Sequence, residues 1–226
     1  MLKEIPSKLF AVFHMGDAID GDPRNGFLDD TFEFVPIRQA AGMELLLDSV
    51  VRKTEKYYQI IGTEYHSGKY AQAEQTLAEN LHAIPSDEGR YAWLSLNRKI
   101  DGIGINAKHS IPVPLVYRET SLGREGLFSA VAPHLRHHPH LVIRGHVHYF
   151  CHVEHSRVHI FTAPCWQTQT NYMREKSEFR LVPDLGYVLV EIRPTATNDP
   201  IRIYKRLFDH PPIPVKEMAL DKASRE

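Results

Sequence analysis

The sequence predicts an α/β fold in which a two-layer β-sandwich is flanked by helices. Helical and extended segments alternate over roughly the first two thirds of the 226 residues, whereas extended segments dominate the remainder. Polar clusters also follow hydrophobic runs after Phe13, Ile61 and Ile143. Because ligand sites of such folds gather at the carboxyl ends of strands, these clusters are the predicted functional site.

The elements of the first half follow from local composition. Residues 8–17 form a predicted strand that ends in a polar turn, and residues 20–30, rich in Gly, Pro, Asn and Asp, form a loop. Apolar residues at helical spacing predict helices over 36–56 and 69–84. Between these helices, residues 57–68 begin as a β-rich run.

The second half is richer in strands. Residues 90–110 predict two strands joined at an Asp-Gly turn, and residues 124–138 predict a helix. Residues 151–166 predict a hairpin that turns near Glu154–Arg157, and the segments LGYVLVEIRP and IRIYKRLF have the period-2 character of strands. We expect one domain over residues 1–210, followed by a tail over 211–226 that is Pro-rich and then charged.

The composition excludes several classes of protein. With 27 Lys+Arg against 28 Asp+Glu, the chain lacks the basic character of a nucleic-acid-binding protein as a whole. Its two cysteines, Cys151 and Cys165, form no CxxC pair, which favours reduced thiols. The N-terminus lacks the apolar region of a signal peptide, and no apolar run is long enough to span a bilayer. These features predict a cytoplasmic protein without a membrane partner.

The segment HMGDAID, residues 14–20, places two carboxylates directly after the first predicted strand. A glycine there lets the backbone turn and lets a ligand approach closely. Asp17 follows at the edge where sites form, with Asp20 three residues later, and a carboxylate in this position can bridge divalent cations. The alternative is an Asp that caps a turn or a helix.

The segment GHVH, residues 145–148, follows the predicted strand HLVIR. If the chain stays extended, His146 and His148 point to one face about 6.6 Å apart along the strand. That separation suits two imidazoles that reach neighbouring metal ions, which lie about 3.5–4 Å apart in two-metal sites. The alternative is a pair of surface histidines.

Two further clusters follow predicted strands. INAKHS supplies His109, and GTEYHSG supplies His66 with Thr63 and Glu64 beside it. Each cluster alone is weak, because a lone histidine after a strand is more often structural. Together the clusters offer one Asp and three His positions distributed over the whole predicted sheet.

These blocks resemble those of the calcineurin-like metallophosphoesterases, in particular phage-type and bacterial members. GDAID matches that family's GDxxD block, NAKHS stands at its lone metal-binding histidine, and GHVH matches its GHxH block. The resemblance spans about residues 8–205. It implies one or two divalent ions of Mn, Fe, Zn or Ni. It also implies a set of metal ligands in this chain: Asp17, His109, His146 and His148.

The chain departs from the family pattern in two places. The family's first strand ends in Asp-x-His, which occurs nowhere in this sequence, so the predicted fold lacks that strand. Either the start is misassigned or the chain truncated, or the protein is a short variant with one metal or none. GTEYHSG also replaces the family's GNH[DE] block, which leaves Thr63 as a poorer ligand and His66 as the candidate acid; Glu64 or Glu74 are alternative carboxylates.

The resemblance implies a metal-dependent phosphoesterase that hydrolyses phosphodiesters or phosphomonoesters with a metal-activated water. Nucleotides, short nucleic acids and phosphoproteins are all possible substrates. Arg24 or Arg144 could stabilise charge on the phosphate, although surface solvation is the preferred interpretation of each. The alternative is a catalytically inactive or one-metal scaffold of the same fold. An HUH-type nickase or a cupin leaves GDxxD or the helices unexplained.

Overall fold

The computed structural model of the protein describes residues 5–21, 31–111, 118–131, 139–155, 157–177, 182–195 and 199–211. The elements in chain order are β1 Leu9–His14, α1 Pro36–Val51, β2 Thr54–Ile60, α2 Glu64–Ser67, α3 Gln72–Asn80, β3 Ala92–Trp93, β4 Leu96–Ile100, β5 Ile103–Lys108, α4 Arg118–Val131, β6 Leu141–Arg144, β7 Cys151–His155, β8 Val158–Thr162, α5 Asn171–Ser177, β9 Leu185–Ile192 and β10 Ile201–Phe208.

The described strands form three hydrogen-bonded sheets. The first is parallel with the order β1-β2-β3, and the second is mixed with the order β4-β5-β6-β8-β7. The third is the antiparallel pair β10-β9, and an isolated bridge between Cys165 and Leu185 joins it to the segment after β8. β1 pairs in parallel with β2, and β5 pairs in parallel with β6, so the carboxyl ends of the two strands in each pair open onto a shared edge.

The main core lies between the sheets and contains side chains from all three. Its buried members include Tyr58 and Ile60 of β2, Ile105 of β5, Phe161 of β8 and Ile201 of β10. The ring of Phe13 stacks on that of Tyr58, its cross-strand partner, with centroids 5.0 Å apart. Sheet packed on sheet is the arrangement of a β-sandwich, as the sequence predicts.

Alternate residues of the same strands face the helices. Tyr57 belongs to a second core with α1 and α3, whereas its neighbour Tyr58 belongs to the core between the sheets. Val142 and Ile160 likewise belong to a third core with Leu122 of α4. This period-2 division explains why β6 is buried throughout, and it places helices outside both larger sheets. The prediction of an α/β fold with flanking helices is confirmed.

The predicted bounds of the helices need correction. Residues 54–56 belong to β2 and not to the first helix, because Thr54 and Lys56 pair with β1. The second helix is shorter than predicted, since Ala71 before it and His82 after it have left-handed φ values of 48° and 54°. The third starts earlier, at Arg118, and its predicted residues beyond 131 lie outside the described ones.

Three elements were missing from the prediction, namely α2, β3 and α5, all of which are short. The Asp-Gly turn between β4 and β5 is confirmed, with Asp101 and Gly102 at φ 47° and 83°. The predicted loop from residue 22 onward, and the predicted tail from residue 212, lie outside the described residues. No helix in the described part of the chain has both the length and the apolar character to cross a membrane.

Replacing Leu96 by alanine tests the core between the sheets. The side chain is fully buried, so we expect the change to lower the free energy of unfolding by about 2–5 kcal/mol. Urea-induced unfolding followed by circular dichroism measures the loss. Leu94 is 69% exposed, and Leu94→Ala should change the free energy by less than about 0.5 kcal/mol. Equal effects of the two variants would contradict this packing.

Candidate metal centre

Strand register brings the predicted clusters together. The last pair of β5 and β6 is Lys108 with Arg144, so His109 and Gly145 leave the sheet side by side, and the Gly145 amide donates to the His109 carbonyl at 2.8 Å. The segments after β1 and β2 likewise leave their parallel sheet next to each other. The segments after β1, β5 and β6 all line a cavity of about 420 Å³. The residues directly after β2 do not line it, but His66 of the following helix α2 does.

Asp17 lies in a strained loop whose shape two glycines permit. Gly16 and Asp17 have φ values of 94° and 51°, in the left-handed region that is costly for most residues. A Cβ on Gly62 would lie 2.1 Å from Oδ1 of Asp17, so only glycine allows this approach. Close contact between the two loops therefore fixes the position of the carboxylate.

The two carboxylate oxygens of Asp17 have different surroundings. Oδ1 accepts hydrogen bonds from the backbone N–H of Thr63 at 2.6 Å and from its hydroxyl at 3.1 Å. Oδ2 lies 2.9 Å from Nε2 of His109 and 4.0 Å from Nε2 of His66. Burial acts to raise the pKa of Asp17, but contact with His109, the charge of His66 and the Thr63 amide outweigh it and lower the pKa to about 2. The carboxylate is therefore ionised at neutral pH.

His109 is held so that Nε2 faces Asp17. Its Nδ1 lies 2.5 Å from the carbonyl oxygen of Met15, which can only accept a hydrogen bond, so Nδ1 is the donor. Its Nε2 lies 2.9 Å from Oδ2 of Asp17 but makes no hydrogen bond to a described residue. Burial tends to lower the pKa of His109, but the Asp17 carboxylate and the Met15 carbonyl raise it.

Asp17, His109 and His146 form a group that fits a divalent metal ion. One ligand atom from each lies within 4.8 Å of the others, and the rings of His109 and His146 are 5.2 Å apart. The buried Nε2 of His109 supplies a nitrogen without another partner among the described residues. A carbonyl bound to the far nitrogen of a histidine is also the usual second contact of a metal ligand. This is the one group of its kind in the described part of the chain.

The predicted extended geometry of GHVH is wrong. The strand β6 ends at Arg144, and His146 and His148 have φ values of 71° and 56°. The Val147 amide donates to the Gly145 carbonyl at 2.9 Å, a bond that together with the φ of His146 is typical of a γ-turn. The histidines thus reach the cavity from a strained loop, where the strand-like spacing of 6.6 Å does not apply.

His148 lies in the same cavity but outside the metal-binding group. Its Nδ1 is buried and has no hydrogen bond within the described residues. Burial lowers its pKa to about 4, with the charges of neighbouring histidines adding to that effect, so the ring is neutral at pH 7. It remains a predicted ligand for a second ion.

The other candidates are distributed around the group. His66 and Asp20 line the cavity, and Nδ1 of His66 lies 3.1 Å from the Asp20 carbonyl. Thr63 holds Asp17 through its amide and hydroxyl, and Glu64 is exposed outside the cavity lining. Arg24 falls in residues 22–30, outside the described ranges.

Arg144 does not line the cavity, and its expected surface solvation is wrong. The residue is 4% exposed, and its guanidinium forms an ion pair with Glu125 of α4. It also donates to the Ile143 carbonyl at 2.9 Å. A buried charge needs such a partner, and this ion pair joins α4 to β6.

Glu74 of α3 is a structural part of the site, although the sequence predicts it only as an alternative carboxylate. Fully buried, it accepts hydrogen bonds from the amides of Ala18 and Gly62, both at 2.9 Å, and from the Ser67 hydroxyl at 2.5 Å. Burial raises its pKa, and these three donors offset that effect only in part. Glu74 thus joins the loops on either side of Asp17.

His14 also lines the cavity, and no sequence signal singled it out beyond its place just before the GDxxD block. Oε1 of Gln59 accepts from the Tyr57 hydroxyl at 2.5 Å, which leaves Nε2 of Gln59 to donate to Nδ1 of His14 at 3.0 Å. Burial lowers the pKa of His14 to about 4. At neutral pH its hydrogen therefore lies on Nε2, and the ring can donate one hydrogen bond to a ligand.

No family model matches the chain, and no curated protein matches it significantly. Among solved structures it is similar to an archaeal phosphodiesterase, with 10% identity and a TM-score of 0.46 over 88% of this chain and 84% of that one. A predicted phosphoesterase from Streptococcus pneumoniae has 10% identity and a TM-score of 0.44, covering 87% and 97%. Vacuolar protein sorting 29 from Cryptosporidium parvum has 12% identity and a TM-score of 0.47, covering 88% and 97%. These likenesses concern the fold.

Glu74→Gln tests the contact that joins the two loops. An amide would place a donor against donor groups, so we expect the free energy of unfolding to fall by about 1–3 kcal/mol. Urea-induced unfolding provides the measurement. Glu79 lies on the same helix but is exposed, and Glu79→Gln is the matched control, with an expected change of less than about 0.5 kcal/mol. A stable Glu74→Gln protein would show that this carboxylate is dispensable.

Proposed function

We propose that this protein is a metal-dependent phosphoesterase that hydrolyses phosphodiester or phosphomonoester bonds. The observation that carries the proposal is the convergence of Asp17, His109 and His146, with ligand atoms within 4.8 Å of one another, in a cavity of about 420 Å³. Three protein ligands with a further position open toward a cavity are typical of catalytic rather than structural metal sites. The GDxxD and GHxH blocks of the sequence support the same proposal.

One ion is the stoichiometry that the described residues favour, because a single ligand group is found among them. A second ion at His148 would need ligands from outside that group. Mixed nitrogen and oxygen donors suit Mn, Fe, Zn or Ni. When bound, such an ion supplies a Lewis acid for the phosphate oxygen and lowers the pKa of its water toward neutrality.

The chain's own residues prepare this chemistry. Thr63 fixes one oxygen of Asp17 and leaves the other directed toward His109, so the ligand is oriented before an ion arrives. Burial, together with the charge of His109, lowers the pKa of His146, so its nitrogen is deprotonated at pH 7. These residues therefore direct one anionic oxygen and the deprotonated nitrogen of His146 to a single position, where a bound ion would take the place of a proton on Nε2 of His109.

His66 is the proposed acid that protonates the leaving oxygen. The Asp20 carbonyl accepts a hydrogen bond from Nδ1 of His66, which keeps a hydrogen on that nitrogen. Nε2 is then the atom that takes up and releases a proton, and it lies 4.0 Å from Oδ2 of Asp17. The acid therefore stands beside the position where the phosphate would bind.

Phosphate esters are the proposed substrates, with nucleotides, short nucleic acids and phosphoproteins as the candidate classes. The chain has a net charge of −1, so it offers no general attraction for a long polyanion. The cavity falls in the size range of about 300–1,000 Å³ that is usual for small-molecule sites.

Asp17→Asn tests the proposal directly. Loss of this ligand should reduce hydrolysis of bis-p-nitrophenyl phosphate in the presence of Mn²⁺ by more than about 100-fold, since even changes around a metal ligand cost about 10- to 100-fold. Mn²⁺ binding measured by calorimetry should weaken in parallel. Asp87→Asn, at a side chain that is 84% exposed, is the matched control. Mn²⁺ binding without hydrolysis in the unaltered protein would instead support an inactive scaffold.

His66→Gln separates acid catalysis from metal binding. With the dinucleoside phosphate thymidylyl-thymidine, whose alkoxide is a poor leaving group, we expect kcat to fall by about 10²–10⁴-fold. With bis-p-nitrophenyl phosphate the loss should be much smaller, because p-nitrophenolate leaves without protonation. Glu64→Gln, an exposed neighbour on α2, serves as the control. An equal loss with both substrates would show that His66 does not act as the acid.

A further inference from the structure

The cavity that holds the candidate metal ligands has an aromatic side as well. After β8 the chain runs without a helix or strand from Ala163 to Thr170, and this whole segment lines the cavity together with Asp17 and His146. Trp166 belongs to it and is 53% exposed. A tryptophan so exposed at the wall of a cavity offers a large planar surface to a ligand.

Packing behind Trp166 holds its indole ring in place. Its centroid lies 6.5 Å from that of Tyr187 and 5.6 Å from that of Phe208, with interplanar angles of 27° and 38°. Tyr187 and Phe208 are themselves only 6.3 Å apart, so both lie on the same side of the indole. If Tyr187 and Phe208 lay on opposite sides of the indole, their centroids would be about twice as far apart as they are. This pair therefore leaves the other side of the indole uncovered.

The backbone beside Trp166 is also fixed. Cys165 forms a bridge with Leu185, in which its amide donates to the Asp184 carbonyl and its carbonyl accepts from the Gly186 amide, both at 2.9 Å. The indole is therefore anchored to the β9-β10 sheet by the backbone of Cys165 and by its ring contacts with Tyr187 and Phe208. A surface arranged before a ligand binds loses little conformational entropy on binding.

The side chains that follow Trp166 are polar and uncharged. Gln167, Thr168, Gln169 and Thr170 all line the cavity, and they provide amide and hydroxyl groups that both donate and accept hydrogen bonds. The edges of nucleobases present the same mixture of donors and acceptors. A charged protein ligand, by contrast, would find no opposite charge among the side chains of this segment. An aromatic plane next to such groups is typical of sites that stack a base.

We propose that Trp166 is the stacking surface for the nucleobase of a nucleotide phosphoester whose phosphate binds at Asp17, His109 and His146. This inference rests on the proposed phosphoesterase function for the phosphate end of the ligand. It narrows the substrate class to nucleotides, including short oligonucleotides, and makes Trp166 a determinant of specificity. The closest rival, a phosphoprotein, would place a peptide against the uncharged segment instead.

Two diesters that share a leaving group test the inference. Thymidine 5′-p-nitrophenyl phosphate carries a base, and ethyl p-nitrophenyl phosphate does not. In Trp166→Ala the ratio of kcat/KM for the thymidine ester to that for the ethyl ester should fall by between about fivefold and about 100-fold, the range expected for loss of one stacked base. Trp166→Phe should keep part of the preference.

Tyr70→Ala is the matched control, because Tyr70 is an aromatic side chain that is 81% exposed and lies outside the cavity lining. It should leave the ratio unchanged. An unchanged ratio in Trp166→Ala would overturn the inference. Under the proposed function, Asp17→Asn should strongly reduce hydrolysis of both esters. That result does not depend on Trp166, so the stacking inference can fail while the phosphoesterase proposal holds.

Fluorescence gives a readout that needs no hydrolysis. The chain has two tryptophans, and Trp93 is 5% exposed, so a ligand in the cavity can quench only Trp166 directly. Adenosine 5′-monophosphate should quench the emission saturably, and Trp166→Phe should abolish the response. Quenching without any hydrolysis would support base binding while refuting the phosphoesterase proposal. Quenching by a phosphoserine peptide but not by the nucleotide, or by neither, would overturn the inference.

Discussion

The carboxylate of Glu74 is the contact on which the geometry of the site depends. It lies on α3, behind the cavity, and accepts hydrogen bonds from the loops that follow β1 and β2. Three donors satisfy its oxygens, so the polar group can remain fully buried in this position. Without it, the amides of Ala18 and Gly62 would lose their partner, and the close approach of Gly62 to Asp17 would lose its support.

Several candidate ligands lie on strained backbone that the surrounding structure must stabilise. Asp17, His146 and His148 all have left-handed φ values, each of which costs free energy that the surrounding packing must offset. The rest of the scaffold is regular, with parallel strands that deliver the loops to one edge and helices that cover the outer faces. Three of the ligand candidates thus lie on irregular backbone, whereas ordinary sheet register determines which loops become neighbours.

The sequence allowed the fold class and the position of the main ligand candidates to be predicted, because both depend on local periodicity and on strand ends. Asp17, His109 and His146 each lie within four residues after the end of a hydrophobic run. The role of Glu74 was not predictable, since its partner Ala18 is 56 residues away and a buried glutamate on a helix has no local signature. The burial of Arg144 escaped prediction for the same reason, as its partner Glu125 lies on α4. The left-handed turn at His146 depends on contacts that spacing alone does not encode.

Val147, between the two histidines, packs against the core beneath α4. The loop that carries His146 is therefore tied to the outer helical layer by an apolar contact as well as by its backbone. A ligand that binds only the native state adds its binding free energy to the stability of whatever must unfold for the site to open. Here that unit includes α4 and the strands under it. Occupancy of the site and cooperativity of the sheet-and-helix unit are consequently linked, and ion binding would slow amide hydrogen exchange far from the ion itself.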